Sequence, residues 1–153
     1  MIHESQAGQR AEQRFYEGYN CCESVVTVTL EAMGVRCDCL PGLATGMGGG
    51  IGRTGHVCGA VSGGAMALGL AATRMGLKDH AAEKAWANDA VGELIEAFDR
   101  EFTFHECRDL IGIDLREPDC AERYRNGGCK EKCGRFVRFV AEWVVRRLAG
   151  EGL

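Results

Sequence analysis

Nine cysteines in a chain of 153 residues are the side chains here with the most chemistry available to them. As thiolates they bind soft metals and attack disulfides; as buried thiols they fill cores like small apolar groups. Position decides between these uses. Cys21 and Cys58 each fall at the start of a predicted helix, where unpaired N–H groups and the positive end of the helix dipole favour an anion. Cys107 precedes Arg108, and Cys133 is flanked by Lys130, Lys132 and Arg135. These four form the candidate site: Cys21, Cys58, Cys107 and Cys133 as thiolate ligands, with Cys58 as the nucleophile if the chemistry is thiol exchange. The steps between them, 37, 49 and 26 residues, carry no spacing signal, and the C-x2-C knuckle of a zinc ribbon is missing. Ligands gathered one per element suit a site that folding assembles, as in many iron–sulfur proteins.

The other five cysteines read differently. Cys22 aligns with Val25 and Val26 and is expected in the core. Cys129 stands four residues before Cys133, on the same helical face, and is an alternative ligand or resolving thiol. Cys37-Asp38-Cys39 lies on a loop before Pro41; it has the spacing to chelate or to close a readily reduced disulfide, although two unpaired loop thiols are the expectation. Cys120 is left outside the site. His56 and His105, each two residues before a candidate cysteine, are expected as surface or hydrogen-bonded residues, with metal ligation the alternative.

The elements that must position these residues read as helices throughout. The first is expected from Ser5 to Tyr16, ending at Gly18. The second is expected to start at Asn20, whose side chain caps it while Glu23 completes a capping box, and to run to Met33. Residues 35–56 hold Pro41 and a glycine cluster with neither alternation nor helical spacing, and are expected as a loop. A helix of small residues follows to about Met75. Its inward face carries Cys58, Val61, Ala65, Leu68 and Ala72, and Gly59/Gly63 and Ala65/Gly69 allow another backbone close. An amphipathic helix spans Asp79 to Phe102, a broken polar region with one short turn at residues 105–110 comes next, and a last helix runs from Lys130 to Leu148. The fold class is all-α: a single domain, a bundle of about five helices with a glycine-rich loop leading into a buried helix.

Gly50-Ile51-Gly52-Arg53-Thr54-Gly55 fits G-x-G-x-x-G, but no strand precedes it and no βαβ unit surrounds it, so a dinucleotide site is disfavoured. A net charge of −4 with no Lys/Arg stripe argues against nucleic acid as a partner. The weakly polar stretch 57–73 is short for a membrane span, so no membrane partner is expected. The N-terminus lacks a basic region followed by an apolar core, which predicts a cytoplasmic protein whose thiols stay reduced. The Gly and Ala faces suit a homodimer contact as well as a monomer core.

Several of these residues carry a family likeness. Cys58-Gly59-Ala60-Val61-Ser62-Gly63 is a C-G-A-x-x-G signature, preceded by a glycine-rich lead-in at residues 48–55. Gly18-Tyr19-Asn20-Cys21, then Cys107-Arg108-Asp109-Leu110 with Gly112 and Asp114, then Lys132-Cys133 before an apolar helix, complete four motifs in order. From about residue 10 to 145 the chain resembles the C_GCAxxG_C_C family of small, helical, redox-active proteins. Some members of that family carry export signals of the kind used for cofactor-loaded proteins, which implies iron–sulfur binding. Split-Soret cytochromes c share the domain alongside haem, but C-x-x-C-H is missing here, so covalent haem is not expected. The resulting expectation is an iron–sulfur cluster on Cys21, Cys58, Cys107 and Cys133 passing single electrons to a redox partner protein. Two alternatives accompany it: a thiol–disulfide oxidoreductase using Cys58, and a structural zinc domain.

Overall fold

The computed structural model describes residues 3–152. They form eight helices and no strand: α1 (Glu4–Tyr16), α2 (Cys21–Ala32), α3 (Gly42–Thr45), α4 (Gly59–Arg74), α5 (His80–Phe102), α6 (Cys107–Ile111), α7 (Cys120–Asn126) and α8 (Cys129–Ala149). Five long helices match the periodicity of the sequence. The expectation of about five is corrected by α3, α6 and α7, which at four, five and seven residues are too short for an apolar repeat to register. Of these, only α6 was anticipated, as a single turn.

The bundle is organised on α8, whose Val137, Val140, Val144 and Leu148 are almost completely buried. Against it Phe98 and Phe102 of α5 stack with Phe136 and Phe139, ring centroids 4.8–5.9 Å apart, in tilted and edge-to-face arrangements that aromatic quadrupoles favour. Helix α2 begins with the expected capping box: the Glu23 amide donates to Asn20 Oδ1 (3.0 Å) and the Asn20 amide to Glu23 Oε2 (2.7 Å). This fixes the first turn of α2, and with it Cys21, in one orientation.

Helix α4 lies in the middle because it has been stripped of bulk. A Cβ at Gly63 would stand 2.8 Å from the Cys22 carbonyl oxygen on α2, and one at Gly64 would stand 2.7 Å from Val140 Cγ1 and 2.8 Å from Leu94 Cδ2. The helix thus meets the α2 backbone directly on one side, and on the other takes the side chains of Leu94 from α5 and Val140 from α8 against its own backbone. Gly69 has no such neighbour, so the second small-residue pair of the sequence is not a contact.

The glycine-rich loop is ordered by its own backbone. Residues 49–53 all take left-handed φ angles, 61–71°, including Ile51 and Arg53. The turn is closed by bonds from Gly52, Gly55 and His56 amides to the carbonyls of Gly46, Gly49 and Gly50 (2.8–3.1 Å). Left-handed φ costs a side-chain-bearing residue about 1–2 kcal/mol, so Ile51 and Arg53 hold a strained conformation that the surrounding bonds enforce.

Candidate functional site

Where the glycine loop ends, residues 56–58 run antiparallel to residues 105–107 in an isolated bridge, Val57 opposite Glu106. The Cys58 amide donates to the His105 carbonyl (2.8 Å), and the Cys107 amide donates to the His56 carbonyl (2.7 Å). Each strand-like residue pair is followed at once by a helix, so Cys58 becomes the N-cap of α4 and Cys107 the first residue of α6. The bridge therefore sets two thiols side by side from positions 49 residues apart in the sequence. The two histidines contribute main chain: His105 Nδ1 meets the Asp99 carboxylate at 2.9 Å, His56 is exposed, and neither lines the cavity that the cysteines enclose.

That cavity has a volume of about 540 Å³ and is lined by Cys21, Cys58, Cys107 and Cys133 together. Its walls are mainly apolar (Phe15, Leu110, Ile111, Leu115, Phe136) with Asn20, Thr45 and Tyr124 among them, and its charged lining is Arg53 and Arg125, with no carboxylate. Cys21 enters from the first turn of α2, close enough that a Cβ on Gly59 would lie 3.1 Å from Cys21 Cβ. Cys133 enters from the second turn of α8. The two neighbours left open by the sequence point elsewhere. Cys22 is fully buried with its thiol 3.7 Å from Met66 Sδ, and Cys129 is buried with its thiol 3.7 Å from the Ile111 carbonyl oxygen.

The expected thiolate bias at the helix starts does not survive burial. Burial pushes the Cys58 thiol up to about 12, against the pull of the Ala60 and Val61 amides that point at its sulfur, and it pushes Cys107 up to about 11. In an apolar pocket the cost of desolvating a charge exceeds what a helix terminus returns. Arg108 does not help Cys107: its guanidinium donates to the Thr54 carbonyl (3.0 Å) and pairs with Asp114 (3.5 Å). Cys133 alone among the four is shifted down. Its sulfur accepts hydrogen bonds from the Cys21 thiol and the Tyr124 hydroxyl, and Lys132 adds a positive charge nearby. Cys21 is shifted up correspondingly, chiefly because it donates to Cys133. The two thiols therefore titrate as a pair in the low-dielectric wall, Cys133 shifted down and Cys21 shifted up.

Three cavity residues lay outside the sequence-level site. Cys120 and Tyr124, on successive turns of α7, both line it, as does Arg53, whose Nη2 donates to the Leu115 carbonyl (2.9 Å) and lies 3.5 Å from Cys120 Sγ. The signal available for α7 was the four-residue step from Cys120 to Tyr124 before Gly127-Gly128. Arg53 had none, since its direction comes from the left-handed turn. Among the described residues, no three Cys, His, Asp or Glu side chains are grouped tightly enough to hold a metal ion as they stand. The sulfurs are spread around the cavity wall rather than gathered at one point.

An all-helical domain that collects five thiols from five elements into one cavity, without a strand among the described residues, defines a class of thiol-centred helical proteins. The chain matches the C_GCAxxG_C_C family, described as "Putative redox-active protein", over residues 19–147, and it belongs to that family. No curated protein and no solved structure matches it. Among the described residues no helix is long and apolar enough to cross a membrane.

Proposed function

We propose that the cavity holds an iron–sulfur cluster on Cys21, Cys58, Cys107 and Cys133, and that the protein passes single electrons to a redox partner protein. The observation that carries this reading is the convergence of these four thiols, one per element and with Cys120 as a fifth, on one cavity whose charged lining is cationic. The donor set suits the group: all four are sulfur, and thiolate is the ligand that iron–sulfur clusters take. When bound, such a cluster supplies a one-electron couple. The chain's own contribution is to offset charge and exclude water: Ala60 and Val61 amides point at Cys58 sulfur, Tyr124 donates to Cys133, and Arg53 and Arg125 face the cavity without an opposing carboxylate. Hydrogen bonds and positive charge around ligating sulfurs raise the reduction potential.

Anaerobic purification followed by iron and sulfide analysis tests this. Both elements are expected in comparable amounts, with a visible charge-transfer absorption that dithionite bleaches. A colourless chain that takes up no iron on anaerobic reconstitution overturns the reading. The opposite shifts that Cys21 and Cys133 impose on each other across the cavity favour a second reading, thiol–disulfide exchange, with Cys133 rather than Cys58 as the attacking sulfur. It predicts a redox-titratable Cys21–Cys133 disulfide in the iron-free chain.

A further inference from the structure

Outside the cavity, one pair of cysteines is already oxidised. Cys37 and Cys39 are joined in a disulfide, whereas the other seven cysteines are free thiols; the expectation of two unpaired loop thiols is thereby corrected. Their Cα atoms are 5.4 Å apart, inside the usual range for such a bond. The bridge encloses a single residue, Asp38. The stabilisation a disulfide gives through the unfolded chain shrinks with the loop it closes, so this one contributes little as a brace. It also braces nothing distant, since both ends lie in the connection between α2 and α3. Cys39 is exposed, Asp38 is exposed and paired with Arg36 (3.1 Å), and Cys37 is half-buried against the core. An exposed disulfide is the kind open to thiol attack.

We infer that Cys37–Cys39 is a second redox centre, a two-electron dithiol/disulfide couple at the surface that exchanges with a dithiol-bearing partner. The two sulfurs have different roles set by their exposure. A thiolate of the partner attacks Cys39 Sγ, the Cys37–Cys39 bond breaks, and Cys37 leaves as a thiolate. The partner's second thiolate then displaces Cys39 from the mixed disulfide. The partner is oxidised to its disulfide, the pair is reduced to two thiols, and the two protons lost by the partner's thiols end on Cys37 and Cys39. The reverse sequence reoxidises the pair. The couple is connected to the cavity through α3: the Cys39 carbonyl accepts from the Leu43 amide at the start of α3 (2.9 Å), and α3 ends on Thr45, which lines the cavity and whose carbonyl accepts from Asn20 Nδ2 (2.9 Å).

The full chain is equilibrated in graded mixtures of reduced and oxidised dithiothreitol, acid-quenched and alkylated, and the peptide carrying both cysteines is quantified by mass spectrometry. The two thiols are expected to appear together at one midpoint with two-electron slope. In the Cys37→Ser/Cys39→Ser chain the unfolding midpoint is expected to fall by no more than about 6 °C, because a three-residue loop lies at the low end of the entropic stabilisation a disulfide gives. A pair that stays oxidised across the series, thiols that appear independently, or a larger fall of the unfolding midpoint in the double variant overturns the inference. The assigned direction of attack is tested with 5,5′-dithiobis(2-nitrobenzoate): Cys39 in Cys37→Ser is expected to react about tenfold faster than Cys37 in Cys39→Ser, since access limits thiol exchange, and equal rates overturn it. None of these variants touches a cavity cysteine, so a failed iron analysis and a failed titration are separate results.

Discussion

Cys21 and Cys22 are neighbours on the chain with the same side chain, yet one lines a cavity and the other is packed among aliphatic residues. A helix turns about 100° per residue, and that rotation carries Cys21 towards Cys133 while Cys22 faces Met66 on α4. On α8 the separation is along the axis instead: Cys129 and Cys133 share a face, but Cys133 reaches the cavity while Cys129, one turn earlier, ends against the Ile111 carbonyl. On α2 the phase of the helix decides, and that phase is fixed by the Asn20 cap and by the glycine contact with α4.

The largest effect that tests this contrast is on cluster content. Cys21→Ala is expected to lower the iron retained after anaerobic reconstitution by roughly tenfold or more, because losing a ligand costs no less than losing a supporting hydrogen bond around a metal. Cys22→Ala should keep the parental iron content and cost about 1 kcal/mol in denaturant unfolding, as a small core truncation does. Equal iron loss in both variants breaks the contrast. A second, smaller effect belongs to the seam that sets the phase. Gly63→Ala drives a Cβ to 2.8 Å from the Cys22 carbonyl and should destabilise the chain by about 1–3 kcal/mol, the usual cost of overpacking, read from the urea midpoint. An unchanged midpoint shows that α2 and α4 do not rely on that approach.

The smallest effect lies outside the cavity, where Asp114 pairs with Arg116 (2.8 Å) and with Arg108 (3.5 Å), while Arg108 also donates to the Thr54 carbonyl of the glycine loop. The Arg116 guanidinium and amide hold the Asp114 carboxyl well below the usual carboxylate range. A depressed folded-state value stabilises the fold above the unfolded-state value and loses that contribution as the pH falls through the folded one. Asp114→Asn is therefore expected to be slightly less stable than the parent at pH 7, with the gap closing as the pH drops below about 4. Thermal melts of both chains from pH 7 to pH 2 check it; a gap that widens in acid rules out the ion pair as its source.

The parts legible in the sequence were those with repeat or cap signals: five long helices, the Asn20–Glu23 box, the close approach at Gly63, and the four cysteines that the cavity unites. What stayed hidden has physical reasons. Helices of four to seven residues have no period to read, which concealed α3 and α7 and with them Cys120 and Tyr124. A helix start advertises a positive field but not the depth of its burial, so Cys58 looked anionic on the chain and is held protonated in the fold. The direction of Arg53 depends on a left-handed turn spanning residues 49–53, which G-x-G-x-x-G spacing does not encode. Nothing in Cys37-Asp38-Cys39 alone distinguishes two thiols from a bridge.

The pairing of Val57 with Glu106 also dictates the order in which the protein is built. Two segments far apart along the chain must meet before Cys58 and Cys107 share a wall, and contacts of such separation are gained late, after local helices have formed. Until that pairing forms, Cys58 and Cys107 lie on separate segments. Under the proposed function, a centre that needs both is completed only in the folded chain.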